Sequence, residues 1–326
     1  MLATRRDFLG ALAAAGALTA LPSSSLSAVF ASVSAECPFR LSVINDEISP
    51  DFDHACSVTA HDFGLHWIEL RSMWNKNVTD LDANELAEAA RILKKYKLRV
   101  TDIASPLYKV DWPGAPRKAG QERDQFHAGT DFSKQDALLG HCIDLTRTFS
   151  TDRVRCFDFW RLDDQAPYRA AINEKLRQAA ELCAKSNVIL ILENEMSCNT
   201  ATGEEAAAVL KAIPNKNFML NWDPGNAGTF ANEVPFPTAY DLLPKDRIGH
   251  CHAKNVTRRP DGKFDWQPVG TGVVDWVGQL RALRSDGYHY AVSLETHWRG
   301  AGTPEASSRI SMADLKKALT ASGAAC

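Results

Sequence analysis

The chain has 326 residues, 45% of them hydrophobic, and a formal net charge of −3. That length suits one large α/β domain with a full core. The near-neutral balance leaves no electrostatic footprint for nucleic acid or anionic lipid, and no run beyond the N-terminus is apolar for long enough to span a bilayer, so neither a nucleic-acid partner nor stable membrane insertion after processing is expected.

The first stretch reads as an address. Thr4-Arg5-Arg6-Asp7-Phe8-Leu9 precedes a mildly apolar, Ala-rich run from Gly10 to Leu21, and Val33-Ser34-Ala35 offers small residues for cleavage. This resembles a twin-arginine export signal. Residues 1–35 are therefore set aside as signal, and 36–326 are read as the folded domain, periplasmic or extracellular. Glu36 ahead of Cys37 argues against lipoprotein processing. None of the eight cysteines forms a C-x-x-C pair, so a zinc ribbon or thioredoxin-like motif is not expected.

Apolar runs predict eight strands in chain order: Leu41–Ile44, Trp67–Leu70, Arg99–Ile103, Val154–Phe159, Val188–Leu192, Phe218–Trp222, Ile248–His252 and Ala291–Leu294. Helical periodicity predicts helices over Ala83–Tyr96, Tyr168–Ser186, Gly203–Ile213, Val274–Arg284 and Pro304–Leu319. Strands alternating with helices imply parallel βα units. Eight of them predict a single-domain (β/α)₈ TIM barrel. The first strand ends in Asn45-Asp46-Glu47-Ile48-Ser49-Pro50, without the glycine-rich turn of a doubly wound nucleotide fold. The irregular segment Pro106–Thr130, with Trp112 in it, is expected to form a loop over the barrel mouth.

Four short segments at strand ends carry the chemistry: Ile191-Leu192-Glu193-Asn194-Glu195, Asn221-Trp222-Asp223-Pro224-Gly225-Asn226, His250-Cys251-His252-Ala253-Lys254-Asn255 and Ser293-Leu294-Glu295-Thr296-His297. Taken singly, each has a plainer reading: a rim ion pair for Glu193, a turn former for Asp223, a core histidine for His252, a helix cap for Glu295. Together they place Glu193, Asp223, His252 and Glu295 at matched positions on consecutive strands, where a barrel builds its site. Three carboxylates with one imidazole favour manganese, with magnesium or cobalt as alternatives, over structural zinc.

With these motifs the chain resembles the xylose isomerase-like TIM-barrel superfamily of sugar-phosphate isomerases and epimerases. Trp222-Asp223-Pro224-Gly225-Asn226 is similar to the family's W-D-x-G-N pattern. His252-Ala253-Lys254-Asn255 is similar to H-x-K-D, with Asn255 in place of the usual aspartate, and Glu69-Leu70-Arg71 is similar to a recurrent E-x-R element. The resemblance implies the metal ligands Glu193, Asp223, His252 and Glu295. It also implies that Glu193 and Glu295 move protons. The strand-2 and strand-3 histidines of the family's endonuclease branch are missing here.

A metal on adjacent carbonyl and hydroxyl oxygens eases removal of the neighbouring proton by stabilising an enediolate, and two carboxylates can then shuttle that proton. Glu193, Glu295 and Lys254 are the expected catalytic residues. Glu47, Trp112, Asn226, His250 and Arg258 are expected to bind substrate. Asn226 stands where the family's ketose epimerases carry a histidine. Gly270-Thr271-Gly272 is the only candidate phosphate cradle and reads as a tight turn. The expected activity is metal-dependent isomerisation or epimerisation of a non-phosphorylated sugar or keto-sugar. The alternatives are a lyase or hydrolase of keto-glycosides, a keto-cyclitol dehydratase, and a non-catalytic carbohydrate-binding barrel.

Overall fold

The computed structural model describes residues 37–116 and 131–324. The expected signal, 1–35, and the part of the expected mouth loop from 117 to 130 lie outside the described residues. Eight strands form one sheet: β1 (Arg40–Val43), β2 (Trp67–Leu70), β3 (Arg99–Leu107), β4 (Arg153–Cys156), β5 (Ile189–Glu193), β6 (Phe218–Trp222), β7 (Ile248–Ala253) and β8 (Ala291–Leu294). From β2 to β8 neighbours in the sheet are neighbours in the chain, β1 pairs with β8, and each pairing is parallel. A parallel bridge from Ile44 to Glu69 brings β1 beside β2, so the sheet wraps into a (β/α)₈ barrel. Burial along both faces explains why these strands read as apolar runs rather than alternating ones.

The helices are α1 (Phe52–Ser57), α2 (Ala83–Tyr96), α3 (Gln135–Thr148), α4 (Ala166–Ala184), α5 (Gly203–Ala212), α6 (Pro224–Ala227), α7 (Tyr240–Leu242), α8 (Trp276–Ser285) and α9 (Pro304–Ser322). Their ends carry local signals. Asp82 with Glu85 and Thr202 with Glu205 form reciprocal capping boxes at α2 and α5. Asp275 and Thr303 cap α8 and α9, and Gly323 closes α9 in the left-handed region that glycine adopts freely.

Two departures from the sequence reading matter. The third and fourth strands are placed as expected but end elsewhere. β3 continues to Leu107, and β4 stops at Cys156. Past those ends the two chains still run side by side, with Phe157, Phe159 and Trp160 donating backbone N–H groups to the carbonyls of Leu107, Tyr108 and Val110 at 2.9–3.0 Å. The start of the expected mouth loop is thus anchored, with Tyr108 and Val110 buried. Helices α1 and α3 lacked an expected counterpart. α3 has Gly140 in its middle, and α1 is only six residues long, so neither shows a clean periodic stripe. Six cysteines are free and buried, acting as small apolar residues, and Cys37 is disulfide-bonded. Among the described residues, no helix is long and apolar enough to cross a membrane.

Candidate metal centre

The ends of β5 to β8 deliver one ligand each. Glu193 is the last residue of β5, and His252 lies on β7. Asp223 follows β6 and caps α6, where Pro224 pre-sets the helical turn. Its Oδ1 accepts the Asn226 N–H at 2.8 Å. Its Oδ2 is buried, with the Lys254 ammonium 2.9 Å away. Gly225 is required by close approach: a Cβ there would lie 2.3 Å from Lys254 Cγ. The bare glycine lets α6 press against the end of β7. Glu295 follows β8, and its N–H donates to the Ala253 carbonyl at 3.1 Å, tying it to β7.

These side chains converge. Ligand-type atoms of Glu193, Asp223, His252 and Glu295 all lie within 4.8 Å of one another. His252 Nδ1 is 3.3 Å from Glu193 Oε1, 3.3 Å from Glu295 Oε2 and 3.6 Å from Asp223 Oδ2. All four residues are buried. Three carboxylates in a dry site repel one another unless a cation stands among them. The chain supplies part of that charge. Lys254 Nζ is 2.6 Å from Glu295 Oε2 and 2.9 Å from Asp223 Oδ2. The buried, oxygen-rich donor set of three carboxylates and one imidazole fits a hard divalent ion.

The electrostatics agree. Burial would raise the Glu193 pKa, but His252 and Arg155 outweigh it and hold it at about 2. Glu295 is likewise held well below its ordinary value, against burial, by Lys254, His297 and His252. Burial opposes a charge on His252, yet Glu69, Glu193 and Glu295 push its pKa well above normal. Lys254 is raised too, by Asp223 and Glu295 against desolvation. Each shift reports an interior that holds ionised carboxylates and calls for positive charge beside them.

A pocket opens onto two of the ligands. Its lining includes Arg71, Lys109, Arg155, Phe157, Glu195 and His297 beside Glu193 and Glu295. The other expected residues fall in different places. Asn226 donates to Glu193 Oε1 at 3.2 Å and to the Asn194 carbonyl at 3.0 Å, so it holds a ligand. Glu47 is fully buried and pairs with Arg71 at 2.9 Å and Arg299 at 3.0 Å. Lys254 touches the ligand carboxylates and has the Trp266 ring 5.0 Å away. Three are turned elsewhere. His250 is buried against Glu69 and Asp102. Trp112 packs edge-on against Phe132 and Phe159. Arg258 donates to the Gly228 and Ala231 carbonyls at 2.8 and 3.1 Å, and to that of Glu233, clamping the loop after α6.

The pocket's cationic wall had no role in the sequence reading: Arg71 stood only within Glu69-Leu70-Arg71, and Arg155 was not singled out. Arg71 Nη1 donates to Glu295 Oε1 at 2.6 Å, and Arg155 Nη1 to Glu193 Oε2 at 3.1 Å. Each grips the oxygen of a ligand glutamate that His252 does not face. Lys109 lies 3.5 Å from Glu195. The available signal was a charged residue inside an apolar strand pattern, as in Val154-Arg155-Cys156. Asn255, the departure from H-x-K-D, is also explained. Its Oδ1 accepts from Val256 and Val274 N–H groups, and its Nδ2 donates to the Val269 and Val274 carbonyls, which a carboxylate cannot do.

The family model "Xylose isomerase-like TIM barrel" matches residues 58–318. An Escherichia coli (strain K12) protein, "Putative L-ribulose-5-phosphate 3-epimerase SgbU", is 27% identical over 174 residues, covering 51% of this chain and 59% of its own length. The chain thus spans about three-fifths of that curated relative. Among solved structures, a xylose isomerase-like TIM barrel protein from Mycobacterium smegmatis in complex with magnesium superposes with a TM-score of 0.64 at 16% identity, over 88% of this chain and 98% of that one. D-Psicose 3-epimerase from Clostridium cellulolyticum H10, solved with D-tagatose, gives 0.61 at 14% identity, over 88% and 100%.

Proposed function

Because the chain belongs to the xylose isomerase-like TIM barrel family, we propose that it is a divalent-metal-dependent sugar isomerase or epimerase, acting on a non-phosphorylated sugar or keto-sugar through an enediolate. The observation that carries this reading is the joint placement of Glu193 and Glu295, which belong to the ligand cluster and also line the pocket. Manganese is the first choice of ion, with magnesium or cobalt as alternatives. Glu193, Asp223, His252 and Glu295 would hold it, and when bound it supplies Lewis-acid polarisation of a substrate carbonyl.

The protein's own groups do the rest. Glu193 and Glu295 come from the two outer strands of the ligand set, so they reach a pocket-bound sugar from two sides. Both are held ionised, ready to accept a proton. A carboxylate with a pKa of about 2 is a weak base. It can abstract a C–H proton only if the substrate has been acidified, which ties the bases to the cation they surround. Arg71 and Arg155 fix the orientation of these glutamates. Asn226 fixes Glu193, and Lys254 balances Asp223 and Glu295. Phe157 gives the pocket one apolar wall for a sugar's C–H face.

The non-phosphorylated substrate rests on the loop after β7. Thr271 N–H bonds to the Pro268 carbonyl at 3.0 Å, and Gly272, at φ +134°, packs against Asn255 and Val256. That glycine pair is used in a turn and offers no phosphate cradle. Export by the twin-arginine route, to the periplasm or beyond, is part of the same proposal. It draws on Arg5-Arg6 ahead of Phe8-Leu9 and on the bonded state of Cys37, which suits an oxidising compartment.

The test is deuterium exchange. Metal-loaded protein is incubated in heavy water with a panel of free ketoses, aldoses and keto-glycosides and followed by NMR. Deuterium should enter beside the carbonyl of one sugar, with its epimer or isomer appearing. Release of an alcohol or of water would assign the same enolisation to an elimination. Absence of exchange with every sugar would refute the proposal.

A further inference from the structure

A TIM-barrel interior is ordinarily filled by branched apolar side chains. This one contains two carboxylates and two imidazoles, all fully buried: Glu69, Asp102, His250 and His252. They come from β2, β3 and β7. His250 stands two residues before the ligand His252, so the cluster reaches one layer deeper than the metal centre. Glu69 is its hub, accepting from His252 Nε2 at 3.0 Å through Oε1 and from His250 Nε2 at 3.1 Å through Oε2. The other side of His250 faces Asp102, with Nδ1 3.6 Å from Oδ1. Thr101 donates to that same oxygen at 2.9 Å.

We propose that Glu69 is a positioning residue that aims the Nδ1 lone pair of His252 at the metal. This rests on the metal-dependent reading above. The reasoning is one of donors and acceptors. An ionised carboxylate only accepts, so each imidazole nitrogen facing Glu69 must carry hydrogen. Asn221 Nδ2 lies over both ring nitrogens, 3.1 Å from Nε2 and 3.4 Å from Nδ1, but an amide nitrogen is no acceptor and cannot take the Nε2 hydrogen from Glu69. Nε2 of His252 is therefore the N–H. Nδ1 is the nitrogen that faces the three ligand carboxylates, at 3.3, 3.3 and 3.6 Å. A carboxylate on the far nitrogen of a metal-binding imidazole fixes its tautomer and ring plane and strengthens it as a donor. Glu69 performs that task with one oxygen, and with the other it is held in place by His250.

The same residues admit a rival reading, since Glu69, His250 and His252 are also close enough to hold an ion of their own. The geometry disfavours it. Among Glu69, Asp102, His250 and His252, the buried polar atoms without hydrogen-bond partners are Asp102 Oδ2 and His250 Nδ1, on the Asp102 side of His250 and away from the nitrogen that meets Glu69.

Two measurements on the full chain decide. The first is 15N-histidine NMR of the wild type loaded with zinc as a diamagnetic probe. One histidine should show a metal-bound Nδ1 and a protonated, hydrogen-bonded Nε2. Metal on Nε2 would overturn the proposal, and this arm needs no variant to fold. The second is the manganese dissociation constant and stoichiometry of wild type, Glu69→Gln and Asp102→Asn. Gln cannot accept from both imidazoles, so Glu69→Gln should bind about 10- to 100-fold more weakly. Asp102→Asn, which meets only His250, should stay within a few-fold of wild type. Unchanged affinity in a folded Glu69→Gln, or a second ion per chain that this variant loses, would overturn the assignment. A wild type that binds one ion through Nδ1 yet exchanges no sugar proton would refute the function and leave this role standing.

Discussion

Lys254 apart, the two halves of the barrel mouth carry charged groups of opposite sign. Strands β5 to β8 present Glu193, Asp223, His252 and Glu295, and strands β2 to β4, with the segment after β3, present Arg71, Arg155 and Lys109. Each ligand glutamate has one oxygen toward His252 and the other on an arginine of the facing half. Neither half is stable alone, since buried carboxylates need partners and so do buried guanidinium groups. Under the proposed function, the ligand half binds and the cationic half orients. Substitutions on the two sides should therefore fail in different ways.

The largest expected effect lies on the ligand side. Glu295→Gln removes a base and a ligand together, and proton-transfer groups contribute roughly 10²- to 10⁴-fold. Its sugar exchange rate should fall by at least about 100-fold, as measured by NMR. On the facing side, Arg71→Met leaves Asp46, Glu47 and Glu295 without their shared partner. Removing one member of such a buried network costs about 3–5 kcal/mol. Denaturant unfolding should show that loss, and a fully stable Arg71→Met would break the contrast.

Acid comes next. Burial would raise the Glu47 pKa, but His297, Arg71 and Arg299 hold it at about 2, against an ordinary value of 4.5. A depressed carboxylate stabilises the fold above its unfolded pKa, and that contribution is lost as pH falls from about 4.5 toward 2. Metal-free protein followed by circular dichroism should lose stability in that window, and Glu47→Gln should lose less of it. The smallest effect belongs to Arg258→Ala, which removes a loop clamp on backbone carbonyls. It should cost about 1 kcal/mol of stability and leave KM unchanged. A raised KM would instead place Arg258 on the substrate.

The same asymmetry governs what the sequence reveals. Carboxylates and histidines at the ends of apolar runs stand out, so the eight strands and the convergence of Glu193, Asp223, His252 and Glu295 were legible. Arg155 was not, because one arginine inside Val154-Arg155-Cys156 looks like an exposed position until the barrel closes around it. His250 shares its strand face with His252 and was expected to reach substrate. Its depth, one layer below the pocket, depends on where β7 sits relative to β2 and β3, which no local pattern records. Trp112 was expected to bind substrate, but its ring packs edge-on against Phe132 and Phe159, a contact that depends on the paired segments after β3 and β4. Arg258 likewise finds carbonyls supplied by a loop some thirty residues away. Helix α3 escaped notice because Gly140 interrupts it.

The central claim is that the ends of β5 to β8 jointly hold one catalytic divalent ion. A crystal structure of the manganese-loaded protein, with the ion located by anomalous scattering, tests it most directly. One ion should appear within about 2.0–2.4 Å of a carboxylate oxygen from each of Glu193, Asp223 and Glu295 and of His252 Nδ1. An ion bound elsewhere, or none at this cluster under saturating manganese, would contradict the account.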